Sequence, residues 1–336
     1  MHKIYRIQNN KRLKIEITNL GARITKLLYD GIDLVMGFDN IEDYYPENNP
    51  SDFGAVIGRY ANRIAHGRFV VDDKIIQLPI NNGKNCLHGG PMGWQYSTYE
   101  VIEANERMVK MKMTSKDGDN GFPGTVTVNV TYSVDNDNSL RIDYLAQTDQ
   151  TTIINMTNHS YFNLDGVNAR PSTSKIHEHI LQIDADKYTP ISKEFIPLGD
   201  HQSVAETPFD FRKGKTIGQD IHQAHEQLNI GNGYDHNFVL NTKGDISRPC
   251  AILESKNSGI RMEVYTNAPG IQLYTGNFLN GLKGKYETSY IKQGAVCLET
   301  QQYPDSPNHN WPESSGYLHP DTPYTSTTIF KFLKHD

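Results

Sequence analysis

The sequence contains few cysteines and no long apolar run. Its three cysteines, Cys86, Cys250 and Cys297, lie far apart, and none belongs to a CxxC pair. An odd, scattered set of this kind argues against a disulfide framework and against a cysteine-ligated zinc site, and is typical of a reducing compartment. The first residues lack the uninterrupted apolar segment of a signal peptide. We therefore expect a cytoplasmic protein.

Positive charge is also in short supply. The net charge is −6 at pH 7, whereas nucleic-acid-binding domains normally carry a basic face. No stretch reaches the about 18 apolar residues that a membrane-spanning helix needs. We therefore expect that the protein binds neither nucleic acid nor a membrane. Internal repeats and low-complexity linkers are missing too, and the aromatic residues in 303–323 are typical of a packed loop. We expect one domain over residues 1–336.

Alternating apolar and polar residues are the dominant pattern. Residues 125–134 alternate strictly, which predicts a half-buried β-strand. The sequence DNDN follows, and a second alternating run begins at Leu140, so the two runs predict a β-hairpin. Similar alternation occurs at 12–18, 109–113, 259–265 and 326–333.

Helical periodicity occurs in one segment. Ile217, Ile221, Ala224 and Leu228 follow 4, 3, 4 spacing, which predicts a short amphipathic surface helix. A chain with many strands and few short helices predicts an all-β fold, either a sandwich or a barrel.

Polar residues that a sheet does not require are concentrated in five segments. These segments are GRYANRIAHGRF (58–69, with Arg59, Asn62, Arg63, His66 and Arg68), CLHGG (86–90, with His88), TNHSYFNL (157–164, with His159), YDHNF (234–238, with Asp235 and His236) and CLETQQYPDSPNH (297–309, with Glu299). The glycines next to His88 allow a close backbone approach.

Most of these residues also have an ordinary structural explanation. A single histidine commonly serves as a structural hydrogen-bonding group, and Asp235 could stabilise a turn. Arg59 and Arg63 could pair with surface carboxylates. Glu299 is harder to explain in this way, because glutamate is disfavoured in an apolar strand. Its position predicts a functional carboxylate or one paired with an arginine.

Six stretches resemble the aldose 1-epimerase (galactose mutarotase) family. They are residues 21–38, 57–64, 87–90, 158–164, 233–240 and 298–309, in order along nearly the whole chain. The motifs NHxYFNL and ETxxYPDxPN are specific as a pair, whereas LHGG or NRI alone is weak. The resemblance implies a large antiparallel β-sandwich of the galactose mutarotase-like super-sandwich type. It also implies interconversion of the α and β anomers of a free aldose without an organic cofactor.

Carried over position by position, the resemblance assigns six residues. It makes Glu299 the general base and His159 the general acid. His88 and Arg63 become ring-side polar partners, Asp235 an acceptor for sugar hydroxyls, and Asn62 an auxiliary contact. His236 also fits the family pattern, but alternation along the strand turns its side chain to the other face, and we assign it no role.

Anomer exchange requires two proton transfers at once. A base takes the proton of the C1 hydroxyl while an acid protonates the ring oxygen, and both must lie within hydrogen-bonding distance. We expect an ionised Glu299 and a His159 whose pKa is raised by a neighbouring carboxylate, either Asp235 or Glu299 itself. Tyr161 and Phe278 could line the faces of the sugar. Nothing in this chemistry requires a metal.

Three alternatives use the same residues. A glycoside hydrolase would use Asp235 and Glu299 but would leave His159 without a role. A carbohydrate-binding protein without activity would not need an acid and a base. A metalloenzyme would use His88, His159 and Glu299 as ligands. The preferred sugar, galactose or glucose, stays open, and because edge strands can pair or be blunted by lysines, so does the choice between monomer and homodimer.

Overall fold

In a computed structural model of the chain, residues 1–48, 51–167 and 175–334 are described. The strands, in chain order, are β1 (Ile4–Gln8), β2 (Leu13–Thr18), β3 (Arg23–Tyr29), β4 (Ile32–Asp33), β5 (Val56–Ile57), β6 (Arg63–Ile64), β7 (Arg68–Val71), β8 (Lys74–Gln77), β9 (Cys86–Leu87), β10 (Glu100–Ala104), β11 (Met108–Ser115), β12 (Val126–Val134), β13 (Ser139–Thr148), β14 (Thr152–Ile153), β15 (Thr157–Asn158), β16 (Ile180–Ile183), β17 (Lys187–Tyr188), β18 (Gln202–Ser203), β19 (Lys215–Thr216), β20 (Asp235–Val239), β21 (Ala251–Glu254), β22 (Ile260–Thr266), β23 (Gly270–Tyr274), β24 (Leu282–Lys283), β25 (Ser289–Tyr290), β26 (Cys297–Gln301), β27 (Tyr317–Leu318) and β28 (Tyr324–Lys334). The α-helix found in these ranges is α1 (Glu226–Gly231), and 3₁₀ turns occur at Ile41–Tyr44, Ala65–Gly67, Trp94–Tyr96, Asp119–Gly121, Ile176–Glu178, Ile217–Gln219, Lys285–Glu287 and Ser306–Asn308.

Three antiparallel sheets contain the longer strands. The largest has nine strands in the order β10-β11-β12-β13-β28-β22-β21-β16-β19, the second has five in the order β18-β17-β20-β23-β26, and the third has four in the order β1-β2-β3-β4. Apolar residues of all three sheets contribute to one buried cluster. The predicted all-β antiparallel sandwich is therefore confirmed.

The predicted hairpin lies in the middle of the largest sheet. Every second residue of β12 is buried, beginning with Val126, and β12 pairs with β13 in a register that runs from Val126 opposite Thr148 to Val134 opposite Leu140. Valine suits such a half-buried pleated surface, because its branched side chain packs well against cross-strand neighbours. The alternation in the sequence thus corresponds directly to the two faces of the strand.

The predicted helix is wrong over most of its length. Ile217 lies in a 3₁₀ turn, Ile221 lies in a loop, and the α-helix begins only at Glu226. Asp220 interrupts the periodic segment, because its carboxylate accepts hydrogen bonds from the side chains of Lys215 and Gln223 at 2.6 and 2.5 Å. Aspartate is also a weak helix former. Ile217, Ile221 and Leu228 are nevertheless buried, as the apolar stripe predicted.

Two further expectations concern the core and the loops. The three cysteines are buried and free. In the loop that follows β26, Tyr303 is buried and Trp311 donates a hydrogen bond to the carbonyl of Gly199, so this stretch is packed as predicted. Within the ranges given above, no helix is both long and apolar enough to cross a bilayer.

Candidate active site

The five-stranded sheet forms one wall of a cleft of about 520 Å³. Its strands β20, β23 and β26 pair so that Asp235 lies opposite Tyr274, and Gln272 lies opposite Glu299. These four side chains line the cleft. Residues on the other face of the same strands, including Phe238, Ile271, Leu273 and Leu298, belong to the buried core. The period of two along each strand therefore separates a polar face over the cleft from an apolar face beneath it.

Asn62 and His88 also line the cleft. They lie beside the short β6–β9 pair and are joined by two hydrogen bonds. The main-chain amide of Asn62 donates to the ring atom Nδ1 of His88 at 3.2 Å, and the main-chain amide of His88 donates to the main-chain carbonyl of Asn62 at 3.0 Å. Burial, together with His159 and Arg63, lowers the pKa of His88 well below its usual value. Because Nδ1 accepts a hydrogen bond, neutral His88 carries its proton on Nε2 and can donate it to a ligand.

A glycine next to His88 is required by the local packing. A Cβ atom on Gly89 would lie 2.1 Å from the carbonyl oxygen of Gly58, and its φ is +79°. Both facts exclude a side chain at this position. The close backbone approach predicted for the LHGG segment is present.

His159 and Glu299 lie next to each other in the cleft. Nε2 of His159 lies 3.7 Å from Oε1 of Glu299, and only 7% and 4% of the two side chains are exposed. The His159 ring stacks on Tyr161 with centroids 5.0 Å apart and meets the edge of His88 at 5.3 Å. The 3.7 Å separation exceeds a normal hydrogen bond, so each group can bind a separate oxygen of a ligand.

Burial sets the protonation of this pair. It raises the pKa of Glu299 well above its usual value, with smaller contributions from Asp235 and Asp52 and an opposing one from Arg63. It lowers the pKa of His159 to about 4. The expectation of a raised His159 pKa is therefore wrong, and Glu299 ionises less readily than a carboxyl in water. Desolvation penalises both charges, and at His159 it outweighs any attraction to a carboxylate.

Arg63 and Asp235 lie at another part of the cleft wall. Nε of Arg63 donates to the side-chain oxygen of Asn82 at 3.0 Å, and its guanidinium lies over the ring of Phe195 at 4.7 Å. Asp235 Oδ1 accepts a hydrogen bond from Nε2 of Gln272 at 2.7 Å. Burial raises the pKa of Asp235, and the nearby Arg63 opposes this rise. The guanidinium and the carboxylate are thus both oriented by neighbouring amides.

All six residues assigned from the sequence line the same cleft; they are Asn62, Arg63, His88, His159, Asp235 and Glu299. Tyr161 and Phe278 line it as well, and Phe278 is 59% exposed. Sequence reasoning missed Gln272. Its only local signal is a polar residue within an otherwise apolar strand, the same signal that drew attention to Glu299.

Other polar residues of the singled-out segments lie elsewhere. The buried guanidinium of Arg59 donates to the carbonyls of Pro123 and Gly124 at 2.7 and 2.9 Å and to the hydroxyl of Ser115 at 2.6 Å, so it anchors loops instead of pairing with a carboxylate. His236 is fully buried on the other face of β20. Its turn away from the cleft, predicted from alternation, is observed.

The ligand set of the metalloenzyme alternative is not the one that the structure brings together. Among the described residues, the metal-binding type of cluster is formed by His159, Cys297 and Glu299, whose ligand atoms lie within 4.8 Å of one another. His88 is not part of it. Burial, with Glu299 and Asp235 nearby, raises the pKa of the Cys297 thiol well above its usual value. Without a metal ion the Cys297 thiol therefore stays protonated more readily than a thiol in water.

Comparison with known proteins identifies close relatives along the whole chain. The family model described as aldose 1-epimerase matches residues 3–331. Aldose 1-epimerase of Escherichia coli K12 is 37% identical over 99% of this chain and 95% of its own length. Galactose mutarotase of Bos taurus is 41% identical over 98% and 93%, and that of Homo sapiens is 42% identical over 95% and 91%.

Solved structures give the same result for the fold. The crystal structure of a GalM/aldose epimerase homologue from C. elegans superimposes with a TM-score of 0.90 at 30% identity and covers 100% of both chains. Galactose 1-epimerase from Lactobacillus acidophilus gives a TM-score of 0.85 at 30% identity, over 98% of this chain and 94% of its own. The predicted galactose mutarotase-like sandwich is confirmed.

Proposed function

The chain belongs to the aldose 1-epimerase family and is an isomerase, and from this premise we propose that it interconverts the α and β anomers of free hexoses such as galactose and glucose. In this proposal Glu299 is the base and His159 is the acid. The observation that carries the proposal is the pair of side chains on the cleft wall, with Nε2 and Oε1 3.7 Å apart. Two related proteins are named galactose mutarotases, which supports a galactose-type substrate.

The proposed reaction begins with the sugar ring closed. Glu299 takes the proton of the C1 hydroxyl, His159 gives a proton to the ring oxygen, and the bond between C1 and that oxygen breaks to give the aldehyde. Rotation about the C1–C2 bond presents the other face of the carbonyl. Return of both protons closes the ring as the opposite anomer. Each positioned proton transfer contributes about 10² to 10⁴ in rate.

The remaining polar groups support binding and charge stabilisation. His88 through Nε2–H and Arg63 through its guanidinium donate hydrogen bonds to sugar oxygens, where negative charge develops during transfer. Asp235, fixed by Gln272, accepts hydrogen bonds from hydroxyls. Asn62 positions His88 through its main chain. No metal or organic cofactor enters any step.

We extend the proposal to the cellular form of the protein. We propose a single domain over residues 1–336, and the contribution of apolar residues from all three large sheets to one core cluster supports it. The protein works in the cytoplasm on a small free aldose, as a monomer or a homodimer, and its net charge of −6 suits neither a nucleic-acid nor a membrane partner.

Optical rotation tests this function. Freshly dissolved α-D-galactose or α-D-glucose is followed with the wild-type protein, with Glu299→Gln and with His159→Asn. We expect acceleration by the wild type and a loss of about 10² to 10⁴ in kcat for each variant. Glu100→Gln, on an exposed residue of β10, is the matched control and should keep full activity.

Three outcomes would count against parts of the proposal. Acceleration that survives both substitutions would remove the acid and base assignment. Failure to accelerate any free aldose would remove the mutarotase function. Hydrolysis of glycosides that depends on Asp235 and Glu299 would favour the glycoside hydrolase alternative.

A further inference from the structure

The cleft contains a third carboxylate that the proposed reaction does not use. Asp52 lines the cleft together with Asp235 and Glu299, but it comes from the turn before β5 and not from the five-stranded sheet. It is half-buried. A buried carboxylate costs free energy unless it has partners, so its presence in a ligand-sized cleft requires an explanation.

Asp52 is held in one orientation. The hydroxyl of Tyr96 donates to its Oδ1 at 2.9 Å, and its main-chain carbonyl accepts from the amide of Ala55 at 3.1 Å. Its φ is +52°, in the left-handed region that aspartate, asparagine and glycine tolerate best. Oδ2 has no hydrogen-bond donor among the described residues. Within the described ranges, this cleft-lining side chain therefore has one oxygen held by Tyr96 and one acceptor oxygen without a donor.

The nearest buried cation does not occupy that oxygen. Arg23 is fully buried, but its two terminal nitrogens donate to the carbonyls of Phe53 and Gln95 at 2.8 and 2.7 Å. It forms no direct ion pair with Asp52 in the described part of the chain. Arg23 thus fixes the main chain next to Asp52 and leaves the carboxylate available.

The turn that carries Asp52 is attached to His159. The amide of Gly54 donates to the main-chain carbonyl of His159 at 2.9 Å, and the ring of Phe53 packs against Tyr161 at 4.7 Å. The turn that carries Asp52 is therefore held by the main chain at the His159 end of the cleft, and its carboxylate also lies close enough to Glu299 to raise the pKa of that residue. In the proposed reaction His159 protonates the ring oxygen, and the carbon on the far side of that oxygen from C1 carries the hydroxymethyl group of a hexose. The 6-hydroxyl is therefore the group that this end of the cleft receives.

We propose that Asp52 is a specificity-determining residue whose free carboxylate oxygen accepts a hydrogen bond from the 6-hydroxyl of a hexose. The cleft then favours hexoses over sugars that lack this hydroxyl. The inference rests on the proposed function, because it uses the placement of the ring oxygen at His159. A hydrogen bond to a charged group is stronger than one between neutral groups, so its loss should be measurable.

The test compares three sugars that share the galactose ring configuration. They are D-galactose, D-fucose, which lacks only the 6-hydroxyl, and L-arabinose, which lacks the whole hydroxymethyl group. Mutarotation of each is measured with the wild type, with Asp52→Asn and with Asp52→Gly. Asparagine and glycine both accept the left-handed backbone at this position. If one variant does not fold, the other carries the same comparison.

We expect the effects of sugar and variant to be non-additive. The wild type should lose about tenfold or more in kcat/KM from D-galactose to D-fucose. Asp52→Gly should lose a similar factor on D-galactose and less than about twofold on D-fucose and L-arabinose, because the interaction is already absent there. Tyr96→Phe is the matched control: it removes the hydroxyl that orients Oδ1 but keeps the carboxylate, so it should lose less than Asp52→Gly.

Two outcomes would overturn the inference. Equal losses on all three sugars would mean that Asp52 acts on the reacting pair or on the fold and not on the 6-hydroxyl. No loss on D-galactose would mean that it makes no contact. Neither outcome touches the proposed function, which fails separately if the wild-type protein accelerates none of these sugars.

Discussion

Replacing His159 with asparagine should make the folded protein less sensitive to acid. In the folded protein burial lowers the pKa of His159 to about 4, against an ordinary value near 6.5. The unfolded chain therefore takes up a proton at this residue below pH 6.5, whereas the folded protein does not. This difference lowers the free energy of unfolding of the protein, and the loss grows as the pH falls from about 6.5 to about 4 and then levels off. The expected loss is about 2.5 kcal/mol at pH 4.5 and almost nothing at pH 7.5.

Urea unfolding followed by tryptophan fluorescence measures this difference, since Trp94 is buried. The free energy of unfolding of His159→Asn relative to wild type should rise by about 2.5 kcal/mol between pH 7.5 and pH 4.5. His319→Asn, at an exposed position, controls for the substitution itself. An identical difference at both pH values would refute a depressed pKa at His159. A change of opposite sign would mean that the folded protein holds His159 as a cation beside Glu299.

Two further predictions concern binding and metals. Gln272→Leu removes the side-chain amide that donates to Asp235 at 2.7 Å. We therefore expect KM for galactose to rise about three- to tenfold, with kcat changed less than about twofold. A fall in kcat at unchanged KM would contradict a binding role. Dialysis against EDTA should leave mutarotation unchanged, because both proposed proton transfers use only Glu299 and His159. Activity lost to EDTA and restored by Zn²⁺ would favour a metal held by His159, Cys297 and Glu299.

The strands were predictable because their information is local. An alternating run such as 125–134 specifies one buried and one exposed face, and the structure has a strand over Val126–Val134 with that pattern. The helix was less predictable for a physical reason. Its apolar stripe correctly marked buried positions such as Ile217 and Leu228, but buried positions can repeat at helical spacing in a folded loop. Asp220, a weak helix former, lies within this loop and bonds to the side chains of Lys215 and Gln223.

The residues of the site also differ in whether local sequence reveals them. Residues in distinctive motifs, such as His159 and Glu299, were found from the sequence, whereas Gln272 and Asp52 were not. Gln272 enters the cleft only because β23 pairs in register with β26, and Asp52 only because its turn is bonded to the main chain at His159. The direction of the His159 pKa could not be predicted either, because it depends on how completely the folded chain excludes water from the ring.

The neutral state favoured by burial is compatible with the proposed chemistry. A protonated Glu299 beside a neutral His159 holds the same number of protons as a carboxylate beside an imidazolium. The first arrangement is the one that ring opening leaves behind, since the base has then gained a proton and the acid has lost one. Ring closure can therefore start from the state that the buried cleft favours, while ring opening starts from the ion pair. Sugar hydroxyls and the donors His88 and Arg63 can supply polar contacts that water no longer provides, and so stabilise that ion pair when substrate is bound.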